Sequence, residues 1–195
     1  MTPSLPTMGI PITVGPADDE LTIGVALEIP APWAQLLENA RERFGDPLAR
    51  AIPAHLTLLP PTAVQRVALG GIVEHLARVG QGTVGFEIVL AGTDTFRPVS
   101  PVVFVRVQEG GAACDRLQRA VRTGPLEREL TFPFHPHVTV AHHLDDDALD
   151  RAAKELADFA AAFDARDFVL YEHGTDGVWR PRRRFGFASP PSDQS

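Results

Sequence analysis

The sequence predicts an α+β protein that is internally duplicated. Three observations carry this. β-prone apolar segments alternate along the chain with segments of helical period. A His-x-Thr triplet flanked by apolar residues occurs in AHLTLLP (54–60) and again in PHVTVAH (136–142). The spacing between the triplets is shared by other residues: 82 positions separate His55 from His137 and Thr57 from Thr139. Under that shift Phe86 falls on Phe168, and Gly92-Thr93-Asp94 falls on Gly174-Thr175-Asp176. One residue out of register, Phe96-Arg97-Pro98 faces Trp179-Arg180-Pro181. Six identities in one register read as a repeat of two similar halves about an approximate two-fold axis.

The elements follow in order. Leu21–Glu28 (LTIGVALE) is apolar and β-prone, a strand. Trp33, Leu36, Leu37, Ala40 and Phe44 have helical spacing, which Gly45 stops. His55–Leu59 reads as a short strand. Val64, Ala68, Ile72, Leu76 and Val79 mark a helix ending at Gly80, with Gly70 and Gly71 weakening its middle. Phe86–Leu90 and Val102–Val107 are strands. Cys114, Leu117, Ala120 and Val121 form a helical stripe that Gly124 and Pro125 terminate. His137–Ala141 is a strand. Asp145 caps a helix whose apolar face carries Leu149, Ala152, Ala153, Leu156, Phe159 and Phe163. Phe168–Tyr171 and Phe185–Ala188 close the series. Residues 1–18 and 189–195, rich in Pro and small polar residues, are expected to be flexible tails. Between them, 19–188 is expected to be one domain of two halves, about 19–100 and 101–188.

Bulk properties narrow the function. A net charge of −7 and a pI near 5.4 disfavour a protein that coats long nucleic acid, which needs a broad basic surface. A nucleotide or an RNA end needs only a local positive pocket. No apolar run reaches membrane-spanning length, and no basic-then-apolar leader opens the chain. One cysteine, Cys114, excludes an internal disulfide framework and suits a helix face. A cytoplasmic monomer is the expectation.

The triplets carry chemistry. In a strand, residues two apart share a face. His55 and Thr57 therefore point one way and Leu56 and Leu58 the other; His137 and Thr139 oppose Val138 and Val140 in the same manner. Two such pairs facing one cleft suit phosphoryl transfer. One imidazole acts as general base and the other as general acid, and the hydroxyls hold the non-bridging oxygens. With 7 His and 13 Thr in 195 residues, composition alone yields roughly 0.5 such triplets, so one means nothing. Two, at the repeat offset with apolar alternates, do. A third, His173-Gly174-Thr175, is discounted, because under the repeat His173 faces Ala91.

The pair HLTL and HVTV resembles the signature of the 2H phosphoesterase superfamily. Within it the chain is most similar to the 2′-5′ RNA ligase, or RNA 2′,3′-cyclic phosphodiesterase, family over about residues 20–188. The resemblance implies a two-lobed fold, antiparallel sheets lining a central cleft with helices outside. It implies His55 and His137 as the acid-base pair and Thr57 and Thr139 as phosphate contacts. The reaction implied is opening of a 2′,3′-cyclic phosphate to a 2′-phosphate without cofactor or metal. The partners implied are RNA 3′ ends or cyclic nucleotides. Many bacterial members carry an Arg soon after the second motif, in a stretch like HxTLxR; here HVTVAHH has His142 at that place. The alternatives are a non-catalytic RNA-end or nucleotide binding module, a 2′-5′ RNA ligase-type activity, and a metal hydrolase built on the histidines around His137.

Further residues are candidates for substrate contact. Arg97 and Arg180, each between an aromatic residue and Pro, could clamp a phosphate or stack a base, or pack on their own turns. The run Arg180–Arg184 could guide an RNA end or be a solvated face. Phe134, near the second motif, is the candidate for base stacking, and Phe132 is expected in the core. His75 reads as surface, and Asp94 and Asp176 as caps of backbone amides.

Overall fold

The computed structural model describes residues 19–189; the tails expected at 1–18 and 189–195 lie, apart from Ser189, outside the described residues. Along the chain run β1 (Glu20–Glu28), α1 (Trp33–Phe44), β2 (His55–Gln65), α2 (Leu69–Gln81), β3 (Phe86–Thr95) and β4 (Val102–Glu109). Then come α3 (Gly111–Val121), β5 (His137–His142), α4 (Asp146–Glu155), β6 (Ala160–Ala165), β7 (Asp167–His173) and β8 (Trp179–Gly186). The strands form one antiparallel eight-stranded sheet, curled into a half-barrel, in the order β6-β3-β4-β5-β2-β1-β7-β8.

The order is symmetric about the β5–β2 junction. There β2 and β5 touch through one pair, Leu56 opposite Val138. These residues are themselves 82 apart, so the repeat offset passes through the junction. Outward from it, β4 mirrors β1 and β3 mirrors β7. The lobes draw strands from both sequence halves, since β3 pairs with β4 and β7 pairs with β1. This arrangement supports the duplication.

Strand alternation sorts side chains between two faces. Ile23, Leu27, Leu56, Leu58, Val138 and Val140 enter the main core, where α1 adds Leu37 and Phe44, α2 Leu76, α3 Leu117 and α4 Leu149. Cys114 is fully buried there on α3. The other face is left without helices. A second, small cluster lies on it: Ala26, Val169 and Tyr171, with Trp179 against them. Two helix ends are set by the residues read from the sequence. Gly45 closes α1 at φ 84°, a conformation that costs a glycine little. The Asp145 carboxylate accepts the Ala148 N–H at 2.8 Å and caps α4.

Several expectations are corrected. β2 runs on through Pro60 and Pro61 to Gln65, because beyond the junction only β1 pairs with it and the other side needs no N–H donors. Val64 therefore belongs to this strand. A 3₁₀ turn at Arg66–Ala68 precedes α2, so Gly70 and Gly71 fall in its first turn, where they disturb little. Phe159 and Phe163 are not on α4. Phe163 lies in β6, whose pairing with β3 at the sheet edge decides a segment that composition makes equally fit for helix. The final strand begins at Trp179; its Pro181 and arginines are tolerated on an edge. His75 is 8% exposed, with Nε2 3.1 Å from the Val121 carbonyl. Among the described residues no helix is long and apolar enough to cross a membrane.

Leu56 is fully buried at the junction, so Leu56→Ala is expected to cost about 3 kcal/mol. Asp145→Ala, which removes only a cap, is expected to cost about 1 kcal/mol. Urea unfolding followed by circular dichroism measures both.

Candidate active site

The two triplets sit at the junction. From the Leu56–Val138 pairing, antiparallel register sets His55 across from Thr139 and Thr57 across from His137. All four side chains are half-buried and occupy the face opposite the helices. The imidazoles are held alike. Nδ1 of His55 lies 2.8 Å from the Pro53 carbonyl, and Nδ1 of His137 lies 2.7 Å from the His135 carbonyl. A carbonyl oxygen only accepts, so each Nδ1 carries the hydrogen. Each Nε2 is left without a proton in the neutral ring and is available to the open face.

Burial pushes His55 down to about 4, against the pull of its bond to Pro53; the charges of Arg41 and His137 push it the same way as burial. His137 is lowered too, first by burial and then by His135, with the bond to the His135 carbonyl opposing. His55 and His137 are thus close enough to influence one another. Both are neutral at pH 7, and an anion between them would draw a proton onto one.

The surroundings of the two histidines differ. Beside His55 and Thr57 opens a pocket of about 110 Å³, walled by Ala26, Ile52, Tyr171 and Trp179. Gly24 forms its floor, where a Cβ would stand 3.1 Å from the Trp179 ring. Glu28 pairs with His55 in the β1–β2 register and accepts hydrogen bonds from the Tyr171 hydroxyl and Arg184. Burial alone would raise the Glu28 carboxyl, but these two donors outweigh it and hold it below its usual value. Beside His137 the space is filled. Phe96 stands edge-on to His137 at 4.9 Å, and Phe104 lies 5.2 Å from it and 4.3 Å from Phe96. Arg106 pairs with His137 in the β4–β5 register, the position that Glu28 holds beside His55.

The other sequence candidates are placed as follows. Of the duplicated aromatic-Arg-Pro segments, it is the aromatic residues that lie beside the histidines. Arg97 is turned to Asp150 at 2.6 Å and Asp146 at 3.2 Å on α4. Arg180 is paired with Asp176 at 2.6 Å. The basic run is largely neutralised, because Arg182 pairs with Glu172 and Arg184 with Glu28 and Asp167. Asp94 and Asp176 both accept backbone N–H groups, from Thr95 and Val178. Phe134 packs against the main core, while Phe132 is 65% exposed. The expectation for Phe132 is therefore corrected: the segment before β5 is irregular and offers no period from which to read burial. His142 stacks on His143 at 3.7 Å. Its pKa is lowered by burial and by His143, with Asp46 opposing. Asp46 and Arg41 form a buried ion pair at 3.0 Å under this end of the site. Among the described residues no group of three or more His, Cys, Asp or Glu is arranged to hold a metal ion.

Sequence reasoning passed over Glu28, Tyr171 and Arg106. Glu28 and Arg106 carried a readable signal, since each is a single charge in or at the end of an apolar strand, at even spacing from a residue of the open face.

The curled sheet and the paired His-x-Thr strands define a class, the 2H phosphoesterases. A model of the 2′-5′ RNA ligase superfamily matches residues 29–177, and the chain belongs to that superfamily. Over 129 residues it is 31% identical to "Putative phosphoesterase BH1439" of Halalkalibacterium halodurans, covering 66% of this chain and 74% of that protein. Over 146 residues it is 31% identical to "Putative phosphoesterase OB1230" of Oceanobacillus iheyensis, covering 75% and 84%. Among solved structures, apo LigT of E. coli superposes with a TM-score of 0.63 at 20% identity, covering 87% of this chain and 99% of that one. E. coli LigT complexed with 3′-AMP gives 0.61 at 20% identity, covering 86% and 98%. TT0787 of Thermus thermophilus gives 0.58 at 20% identity, with the same coverage. At these identities the structures speak for the fold.

The lowered histidines set a pH dependence of stability. Between about 6.5 and 4 the unfolded chain takes up a proton at His55 that the folded chain refuses. The contribution is therefore complete above about pH 6.5 and is lost as pH falls toward 4. His55→Gln is expected to flatten this part of a plot of Tm against pH, and an unchanged slope would contradict the assignment.

Proposed function

We propose that the protein is a metal-independent RNA 2′,3′-cyclic phosphodiesterase. The observation that carries this reading is the pair of equivalent imidazoles. Each is fixed through Nδ1 to a backbone carbonyl and offers Nε2 on one sheet face, with a threonine hydroxyl opposite. In the reaction one neutral imidazole takes a proton from water as its oxygen bonds to phosphorus. The P–O3′ bond breaks, and the other imidazole, protonated, gives its proton to O3′. The products are a 2′-phosphate and a free 3′ hydroxyl. Thr57 and Thr139 donate to the non-bridging oxygens. These proton transfers and hydrogen bonds leave no step that calls for a metal. Membership of the 2′-5′ RNA ligase superfamily and the relatives named as phosphoesterases support the reading. LigT of the same fold, complexed with 3′-AMP, supports a nucleotide-sized ligand. The apolar pocket beside His55 offers room for part of the substrate outside the phosphate, with Trp179 as its aromatic wall.

The test is hydrolysis of the four nucleoside 2′,3′-cyclic phosphates in EDTA, with products separated by chromatography. The wild type is expected to yield nucleoside 2′-phosphates, and His55→Ala and His137→Ala each to lose at least ~100-fold in kcat. A wild type that binds these nucleotides without turnover would favour a binding module, and activity abolished by EDTA would sink the metal-free mechanism.

The pH profile adds a second check. The free protein holds both imidazoles below their ordinary value of 6.5. The protonated one required for O3′ therefore grows scarce as pH rises. kcat/KM is expected to peak on the acid side of 6.5 and to fall above it, with apparent pKa values that belong to the pair.

A further inference from the structure

The repeated Gly-Thr-Asp segments have no part in the chemistry above, yet each glycine does the same thing. A Cβ on Gly174 would stand 2.4 Å from Nη1 of Arg180, and a Cβ on Gly92 would stand 2.8 Å from Nη2 of Arg106. In both halves, then, the missing side chain makes a seat for a guanidinium. The two seats differ in charge. Over Gly174 the guanidinium is closed by the Asp176 carboxylate through two hydrogen bonds, at 2.9 and 2.6 Å. Over Gly92 the equivalent acid, Asp94, is turned away to the Thr95 N–H. Arg106 there bonds only the Ala91 carbonyl, from Nε at 3.3 Å, and no carboxylate pairs with it among the described residues. It is exposed, and it lies on the same sheet face as His137, its register partner. Phe104, two residues before it on β4, packs directly on the His137 ring.

Position decides what this cation can reach. The reacting phosphate belongs over the β2–β5 junction, between the two Nε2 atoms. The Arg106 guanidinium leans the other way, onto the bulge of β3 at Ala91-Gly92. Since β3 lies two strands from β5, the seat is roughly 10 Å to the side of the histidine strand. We propose that Arg106 binds a second phosphate of the substrate, the one on the 5′ side of the terminal nucleotide. It would thereby distinguish an RNA end or a 5′-phosphorylated nucleotide from a bare nucleoside cyclic phosphate. This rests on the phosphodiesterase reading for what occupies the junction. Among the described residues neither Nη group has a hydrogen-bond partner, which leaves both for a bidentate contact, the geometry in which an arginine recognises phosphate best.

The test is calorimetric titration of the protein with adenosine 2′-phosphate and adenosine 2′,5′-bisphosphate, which needs no turnover. The wild type is expected to bind the bisphosphate about tenfold more tightly. Arg106→Ala is expected to bring the two ligands within about twofold of each other while leaving the monophosphate unchanged, with Arg106→Lys between. Equal binding of both ligands by the wild type, or an equal loss of both in Arg106→Ala, would overturn the role of Arg106 and leave the proposed reaction standing. Failure of the wild type to bind either ligand would overturn both. Arg106 is exposed, so the variants are expected to keep the wild-type Tm, which is measured alongside.

Discussion

The contact of Leu56 with Val138 is the constraint on which the rest depends. It is the single pair that joins two four-stranded groups into one sheet. Because side chains alternate along a strand, burying these two residues against the helices forces their neighbours on either side to the open face. Those neighbours are His55, Thr57, His137 and Thr139. A slip of one residue in either strand would bury the imidazoles and expose leucine or valine. The apolar core thus decides which side chains the opposite face presents. The helices supply the apolar partners that make the register worth keeping.

Near-symmetry of the frame does not extend to what surrounds it. Equivalent register positions hold Glu28 beside His55 and Arg106 beside His137. Equivalent volumes hold a pocket on one side and the Phe96–Phe104 pair on the other. A duplicated frame gives two imidazoles held alike, and the differences between the halves give the two sides of the site unlike surroundings. Here an apolar pocket opens beside His55, and two phenylalanine rings pack beside His137.

Much of this was legible in the sequence, for a physical reason: period-two alternation and a repeat offset are local or self-referential signals. His55, Thr57, His137 and Thr139 were readable as four residues on one face, and the Gly45 stop and the Asp145 cap were readable from backbone chemistry. What stayed hidden depends on partners far away in the chain. β6 is a strand because β3 lies beside it, and its alanines suit a helix as well. His75 is buried because the Val121 carbonyl, 46 residues on, takes its Nε2. The arginines of β8 gave the look of a solvated basic run, because the carboxylates that answer them are spread over β1 and β7. Phe132 is exposed where the core was expected, because an irregular segment carries no periodicity. The seat of Arg106 is made by a glycine on a neighbouring strand, and no spacing along β4 encodes it.

The carbonyls that orient the imidazoles belong to Pro53 and His135, each two residues before its histidine. The hydrogen bond that aims each ring is therefore made within a three-residue stretch, while Phe96 of the first half packs on His137 of the second. A single ancestral half would already have presented a correctly turned imidazole on a sheet face, with nothing opposite it. Joining two such halves adds the β2–β5 junction and also the β3–β4 and β7–β1 pairings, each of which crosses from one half to the other. The bonds that turn the imidazoles are local, and the strand pairings that bring the two imidazoles together are long-range.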